Sequence, residues 1–203
     1  MTGDLRPRLT LASTSVARAA MLKGAGVDFA AVAANVDEDA VKAGLIADQA
    51  GPARVADALA ELKAVKVSRR VAGLVLGADQ VLVAADGAML AKPGDRRGAE
   101  RQLRALAGFE HRLISAVVIA ENGVAVWRAS GSARLAMRPM SDAFITDYLD
   151  REGDAVFGCV GSYRIEGLGA QLFTRVRGDP FVIQGMPLLA VLDYLRTRGV
   201  IAT

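Results

Sequence analysis

The sequence predicts an α/β fold built on a mixed β-sheet. Two observations carry this. Short apolar runs of strand type alternate with longer segments of helical periodicity along the 203 residues, the pattern of a sheet covered by helices. Turn signals, "DG" at Asp86-Gly87 and "ENG" at Glu121–Gly123, interrupt that alternation. They predict hairpins, so the sheet is not purely parallel. An apolar content of 52% supports a sizeable core. No linker composition separates independent halves, so the chain reads as one domain spanning residues 1–203.

Element by element, "RLTLAS" (8–13) reads as a first strand. "SVARAAMLKGAG" (15–26) reads as a helix stopped by Gly24 or Gly26. "DFAAVAANV" (28–36) reads as a second strand that delivers Asp37 and Glu38 at its end. The clearest helix is 51–73: Val55, Leu59, Leu62 and Val65 keep helical spacing behind Pro52. Residues 74–87 form a buried-type strand that folds back at "DG" onto "AMLAKP". A helix over 94–108 takes Asp95 as N-cap and Gly108 as its stop. Two strands meet at "ENG", and Ser141 caps the next helix. The glycine-rich tail then predicts a strand pair and a last helix starting near Pro187.

Composition narrows the function. The opening "MTGDLRPR" precedes no pure apolar block, so no secretory leader is read. No run approaches the roughly 18 apolar residues of a membrane span. One cysteine, Cys159, forms no internal disulfide, which fits a reducing cytoplasm. The net charge of +3 is spread rather than massed, and aromatics are only 5% of residues, few for stacking on single-stranded bases. Nucleic acid is therefore the least favoured partner. A basic pocket for a small polyanion explains the charge equally well.

The chemistry-bearing residues are scattered acids and bases. Ser13, Ser15 and Arg18 stand at a strand-to-helix junction, as either an N-cap or a phosphate cradle. Asp79 ends the apolar run of "LGADQV" behind small Gly77 and Ala78. That place suits a functional carboxylate, and equally an acid at a strand-to-turn step. Gln80 beside it reads as a reader of a base edge or as a solvent-facing amide. Asp37, Glu38 and Asp39 suit Mg²⁺ or Mn²⁺, or a solvated loop. Lys63 and Lys66 read as the wet face of a helix. Lys92, ahead of Pro93, sits on extended backbone that can aim an ammonium into a cleft. His111 and Cys159 have no partners for a triad or a zinc site and read as structural. Neither the P-loop nor the dinucleotide fingerprint is present. What remains suits metal-assisted phosphoanhydride chemistry.

In order along the chain, "LASTSVAR", "VDE" (36–38), "LAELKA" (59–64), "GADQV" (77–81), "KP" (92–93), "GSYRIEGLGAQLF" (161–173) and "GMPL" (185–188) resemble the Maf family of nucleoside triphosphate pyrophosphatases. The resemblance covers nearly the whole chain. It implies a fold related to inosine triphosphate pyrophosphatases: a bent mixed sheet flanked by helices, with a cleft between two lobes. It implies hydrolysis of a nucleoside triphosphate to the monophosphate and pyrophosphate with Mg²⁺ or Mn²⁺, by a cytoplasmic homodimer.

Carried over by position, Ser13, Ser15 and Arg18 line the phosphate site. Lys63 and Lys92 neutralise the triphosphate, Glu38 serves as a metal ligand or catalytic helper, and Asp79 is either the proton acceptor or mainly a metal ligand. Ala17, Gln80 and Glu166 fall where the family sets substrate preference. Gln80 and Glu166 resemble the branch that cleaves 7-methyl-GTP; the branch preferring dTTP and UTP has threonine and glutamine there. Val16 replaces the family's proline, and Ala17 removes a large aromatic that would face a cationic base. The competing expectations are a dTTP/UTP pyrophosphatase and a non-catalytic nucleotide-binding regulator of septum formation.

Overall fold

The computed structural model describes residues 8–203; the charged opening, residues 1–7, lies outside the described residues. Among the described residues the sheet has seven strands in the order β2 (Ala30–Ala31), β1 (Leu9–Leu11), β3 (Leu74–Val83), β5 (Glu110–Glu121), β6 (Val124–Met137) and β7 (Phe173–Arg177), with β4 (Met89–Leu90) paired to β3. It contains parallel and antiparallel pairs, so the predicted mixed sheet is present. The chain forms two compact units. One comprises the described residues up to Asp79 with Ser115–Gly131 and Gly185–Thr203; the other comprises Gln80–Ile114 and Ser132–Gln184.

In the first unit, β1 (Leu9–Leu11) pairs in parallel with β2 (Ala30–Ala31) and with the start of β3 (Leu74–Val83). All of β1 and residues Leu74 to Leu76 are buried, the continuous apolar pattern of strands covered on both faces. α1 (Val16–Gly24) follows β1. α3 (Pro52–Ser68) lays Leu59, Ala60, Lys63, Ala64 and Val67 against the core. Leu62 and Val65, expected on that face, are only half-buried. Gly77 sets how closely β3 and α3 pack. A Cβ there would fall 2.2 Å from the Ala60 carbonyl oxygen and 2.6 Å from the Ala64 nitrogen.

The expected second strand is cut short. β2 holds only Ala30–Ala31, both exposed. Asn35 takes a left-handed φ of 48°, which ends extended backbone. Asp37 then accepts a hydrogen bond from the Ala40 N–H at 3.0 Å and caps α2 (Glu38–Ala47). Glu38 therefore opens a helix instead of ending a strand. Capping of orphan N–H groups outweighs the weak strand preference of an alanine-rich run. α7 (Leu188–Thr197) completes the unit, and Tyr194 stacks on Trp127 at 4.9 Å.

In the second unit, β4 (Met89–Leu90) pairs antiparallel with Leu82 and Val83, the hairpin expected at "DG". α4 (Arg96–Leu106) is capped by Asp95, which accepts from the Gly98 N–H at 2.6 Å. β5 (Glu110–Glu121) and β6 (Val124–Met137) belong to this unit at Glu110–Ile114 and Ser132–Met137 and to the first unit between, where they join through Asn122 and Gly123, with φ of 51° and 81°. Two left-handed residues in sequence match strand twist at a tight hairpin. α5 (Asp142–Glu152) is capped by Ser141. The expected tail pair is one strand: β7 (Phe173–Arg177), antiparallel to β6 with Leu135 opposite Val176. The rest of the tail forms α6 (Pro180–Ile183), because Asp179 accepts from the Phe181 N–H and Pro180 suits a first turn. Leu82, Leu103, Leu113, Leu135, Leu149 and Tyr163 belong to the core of this unit.

Candidate functional site

The N-cap reading of the opening junction holds. Ser15 is the N-cap of α1, accepting from the Arg18 N–H at 3.4 Å. The Ser15 N–H donates to Ser13 Oγ at 3.2 Å. The Arg18 guanidinium turns back to the same place, donating to Ser13 Oγ at 3.3 Å through a terminal nitrogen and to the Gly185 carbonyl at 3.0 Å through Nε. No acidic residue stands in the first turn. Hydroxyls, helix-start amides and a held guanidinium together form a setting for an anion. Ala17 is half-buried in that turn, and Val16 is exposed.

A second group lies in the same unit. Lys63 Nζ is 2.7 Å from Asp79 Oδ1 and 2.8 Å from Glu38 Oε1. The Lys63 and Asp79 side chains are 7% and 9% exposed. Lys63 is thus not on the wet face the helix pattern suggested. It stands four residues after Leu59 and four before Val67, on the buried stripe. Asp79 shares a strand face with Gly77, and the missing Cβ of Gly77 brings α3 close enough for the pair to meet. Lys66 keeps to the surface, with its ammonium on the Asn35 carbonyl.

Sequence reasoning missed Lys42. Burial lowers its pKa, while Asp79 and then Asp39 oppose the shift. Its signal was present: Lys42 follows Glu38 by one helical turn.

The remaining expected residues lie in the second unit. The Gln80 amide nitrogen donates to the carbonyls of Val182 and Ile183, at 3.0 Å each. It is therefore a fixed group and not a solvent-facing one. Lys92 is exposed after β4. Glu166 is exposed in the segment ahead of β7. His111 is buried, with Nε2 2.7 Å from the Tyr163 hydroxyl, and burial lowers its pKa from 6.5 to about 4. Burial likewise raises the pKa of the half-buried Cys159 thiol.

Among the described residues, no three Asp, Glu, His or Cys side chains gather as a ready metal cage. Glu38 and Asp79 nonetheless converge on one cation, the Lys63 ammonium. Two hard oxygen donors fit Mg²⁺ or Mn²⁺ held jointly with substrate phosphates, the usual arrangement for the smaller ion.

Residues 8–198 match the family described as Maf-like protein. The chain belongs to the Maf family. Its mixed sheet with seven α-helices among the described residues is consistent with that membership. The Maf match takes in both polar groups of the first unit and the Gln80, Lys92 and Glu166 positions of the second. A relative from Paramagnetospirillum magneticum, named nucleoside triphosphate pyrophosphatase, is 53% identical over 93% of this chain and 97% of its own length. One of the same name from Sphingopyxis alaskensis is 52% identical over 94% and 97%. A third of that name, from Caulobacter vibrioides, is 50% identical over 94% and 96%.

Proposed function

We propose that this chain hydrolyses a nucleoside triphosphate to the monophosphate and pyrophosphate, preferring a guanine-type base such as that of 7-methyl-GTP. The buried contact of Lys63 with Asp79 and Glu38 carries the reading. The names of relatives near 50% identity supply the reaction class. Residues 1–203 act in this reading as one Maf-like domain.

Each residue has a task. Ser13, Ser15 and the first amides of α1 hold phosphate oxygens, and Arg18 engages one through its planar fork. Lys63 and Lys92 offset triphosphate charge. Asp79 accepts the proton of the water that attacks the α-phosphorus, and the bond from that phosphorus to the pyrophosphate oxygen breaks. Lys63, 2.7 Å from Asp79 Oδ1, fixes the orientation of that carboxylate. A divalent cation held by Glu38 and Asp79 would supply charge neutralisation and water activation. Glu166 reads the base: a carboxylate only accepts, and guanine presents N1–H and N2–H₂ together. Gln80 and Ala17 are assigned to substrate binding, and the two amide bonds of Gln80 hold its side chain in one orientation.

The reading includes a homodimer working in the cytoplasm; light scattering tests the first and fractionation the second. Among the described residues no helix is long and apolar enough to cross a membrane.

The experiment is pyrophosphate release with Mg²⁺ or Mn²⁺ from 7-methyl-GTP, GTP, dTTP, UTP, CTP and ATP, with Asp79→Asn alongside. Release that depends on metal and on Asp79 supports the reaction, and the fastest substrate names the base class. A ranking led by dTTP or UTP overturns the guanine preference. Binding without release overturns the reaction and favours a nucleotide-binding regulator.

A further inference from the structure

Glu166 stands at a corner of backbone held in a definite shape. The Gly167 N–H donates to the Arg164 carbonyl at 3.2 Å, closing a four-residue turn with Glu166 at its third position. Glu166 is exposed and has no hydrogen-bond or ion-pair partner among the described residues. The turn is gripped on both sides of Glu166 by one buried carboxylate. Glu152 ends α5 with a side chain 1% exposed. Its Oε2 accepts from Arg164 Nε at 3.0 Å and from a terminal Arg164 nitrogen at 2.5 Å. Its Oε1 accepts from the Leu168 N–H at 3.1 Å. The two gripped residues lie two before and two after Glu166.

We propose that Glu152 is a positioning residue for nucleobase selection: through Arg164 and Leu168 it fixes the turn that presents Glu166. This rests on the reading of Glu166 as the base reader. Three features support it. First, a carboxylate buried this deeply is costly unless every oxygen finds a donor. Three donors meet it, all from the segment that carries Glu166. An apolar residue would fill the space at less cost but would register nothing, so the charged contact supplies geometry. Second, Tyr148, one turn earlier on α5, donates from its hydroxyl to the Ser162 carbonyl at 3.2 Å. One helix face thus holds the segment from Ser162 to Leu168. Third, the segment cannot relax by substitution at Gly169, where a Cβ would fall 2.4 Å from the Arg164 carbonyl oxygen. A reader held this way discriminates, because a base with the wrong edge leaves a fixed carboxylate without donors.

The test is the ratio of kcat/KM for the best guanine nucleotide over that for UTP, in Glu152→Gln, Arg164→Lys, Glu166→Gln and Glu152→Gln/Glu166→Gln. Glu152→Gln keeps the size and an acceptor for Leu168 but loses the charge that holds Arg164. It is expected to lower the ratio about tenfold, with KM for the guanine nucleotide rising more than kcat falls. Arg164→Lys, which keeps the charge but loses the fork, is expected to lower it about threefold. In the Glu166→Gln background, Glu152→Gln is expected to change the ratio less than about twofold, because no reader remains to be misplaced. A merely structural Glu152 gives the same change in both backgrounds. That result overturns the proposal, as does a wild-type ratio in folded Glu152→Gln while Glu166→Gln shifts it. If Glu152→Gln does not fold, Arg164→Lys decides by the same ratio. An unchanged ratio in Glu166→Gln removes the base-reader reading itself, and this inference with it.

Discussion

The ammonium of Lys63 rests 2.7 Å from the carboxylate of Asp79. The contact joins a helix stripe to the middle of β3 and brings Glu38 in at 2.8 Å. Lys63→Met leaves Asp79 buried without its cation, and breaking a buried pair in this way costs roughly 3 kcal/mol. Adding Asp79→Asn removes the stranded charge and is expected to recover more than half of the loss. Urea unfolding of the two single variants and the double measures this. Losses that simply add would remove the pair from the account of stability.

Much of this unit was legible. The cap at Ser15 and the buried strand that carries Asp79 follow from residue type and local periodicity, but Asp79 lies within β3, which runs on to Val83, and not at a strand-to-turn step. Lys63 was legible in position but not in environment. Its spacing from Leu59 and Val67 marks the buried stripe, yet a lysine is ordinarily assigned to water, and only the carboxylates across the packing interface make burial tolerable. Glu38 was misplaced because an alanine-rich run does not announce where a strand yields to a cap. Glu152 went unread because its partners lie 12 and 16 residues further along the chain, beyond the reach of any local pattern.

Gly77 is the hinge of that packing, so Gly77→Ala drives a methyl into the Ala60 carbonyl and the Ala64 nitrogen. Such overpacking costs about 1–3 kcal/mol, and by shifting α3 against β3 it separates Lys63 from Asp79 and lowers turnover. Gly44→Ala on α2 is the control: its Cβ meets nothing within 4 Å. Removing a helix glycine there gains roughly 0.5–1 kcal/mol. Thermal unfolding of both variants is expected to move in opposite directions; a loss in both refutes the packing argument.

Arg18 is held by Gly185 and Ser13, and the proposed function assigns it to phosphate. Arg18→Lys keeps the charge but cannot bond the Gly185 carbonyl and the hydroxyl while presenting a planar fork. It is expected to raise KM for the triphosphate about tenfold or more, with stability nearly unchanged. Gly185→Ala acts from the other side. Gly185 has a φ of 110°, and an added Cβ would stand 3.3 Å from Arg18 Nε. Steady-state kinetics on both variants checks this, and an unchanged KM in both would detach Arg18 from the proposed phosphate site.

His111 makes the second unit sensitive to acid. Its Nε2 is engaged with the Tyr163 hydroxyl, and its buried Nδ1 has no hydrogen-bond partner. A proton there would have no acceptor, and burial lowers the folded pKa from 6.5 to about 4 despite the attraction of Glu110. The sign follows from which state binds the proton. Above pH 6.5 both states are neutral and the full stability is present. Between about 6.5 and 4 the unfolded chain takes up a proton that the folded chain refuses, so stability falls with pH. The loss approaches about 3 kcal/mol once both states are protonated. His111→Gln, which does not titrate and can still meet the Tyr163 hydroxyl, is expected to flatten that slope in urea unfolding measured from pH 7 to 4.5. The same slope in wild type and variant would assign the acid sensitivity to other groups.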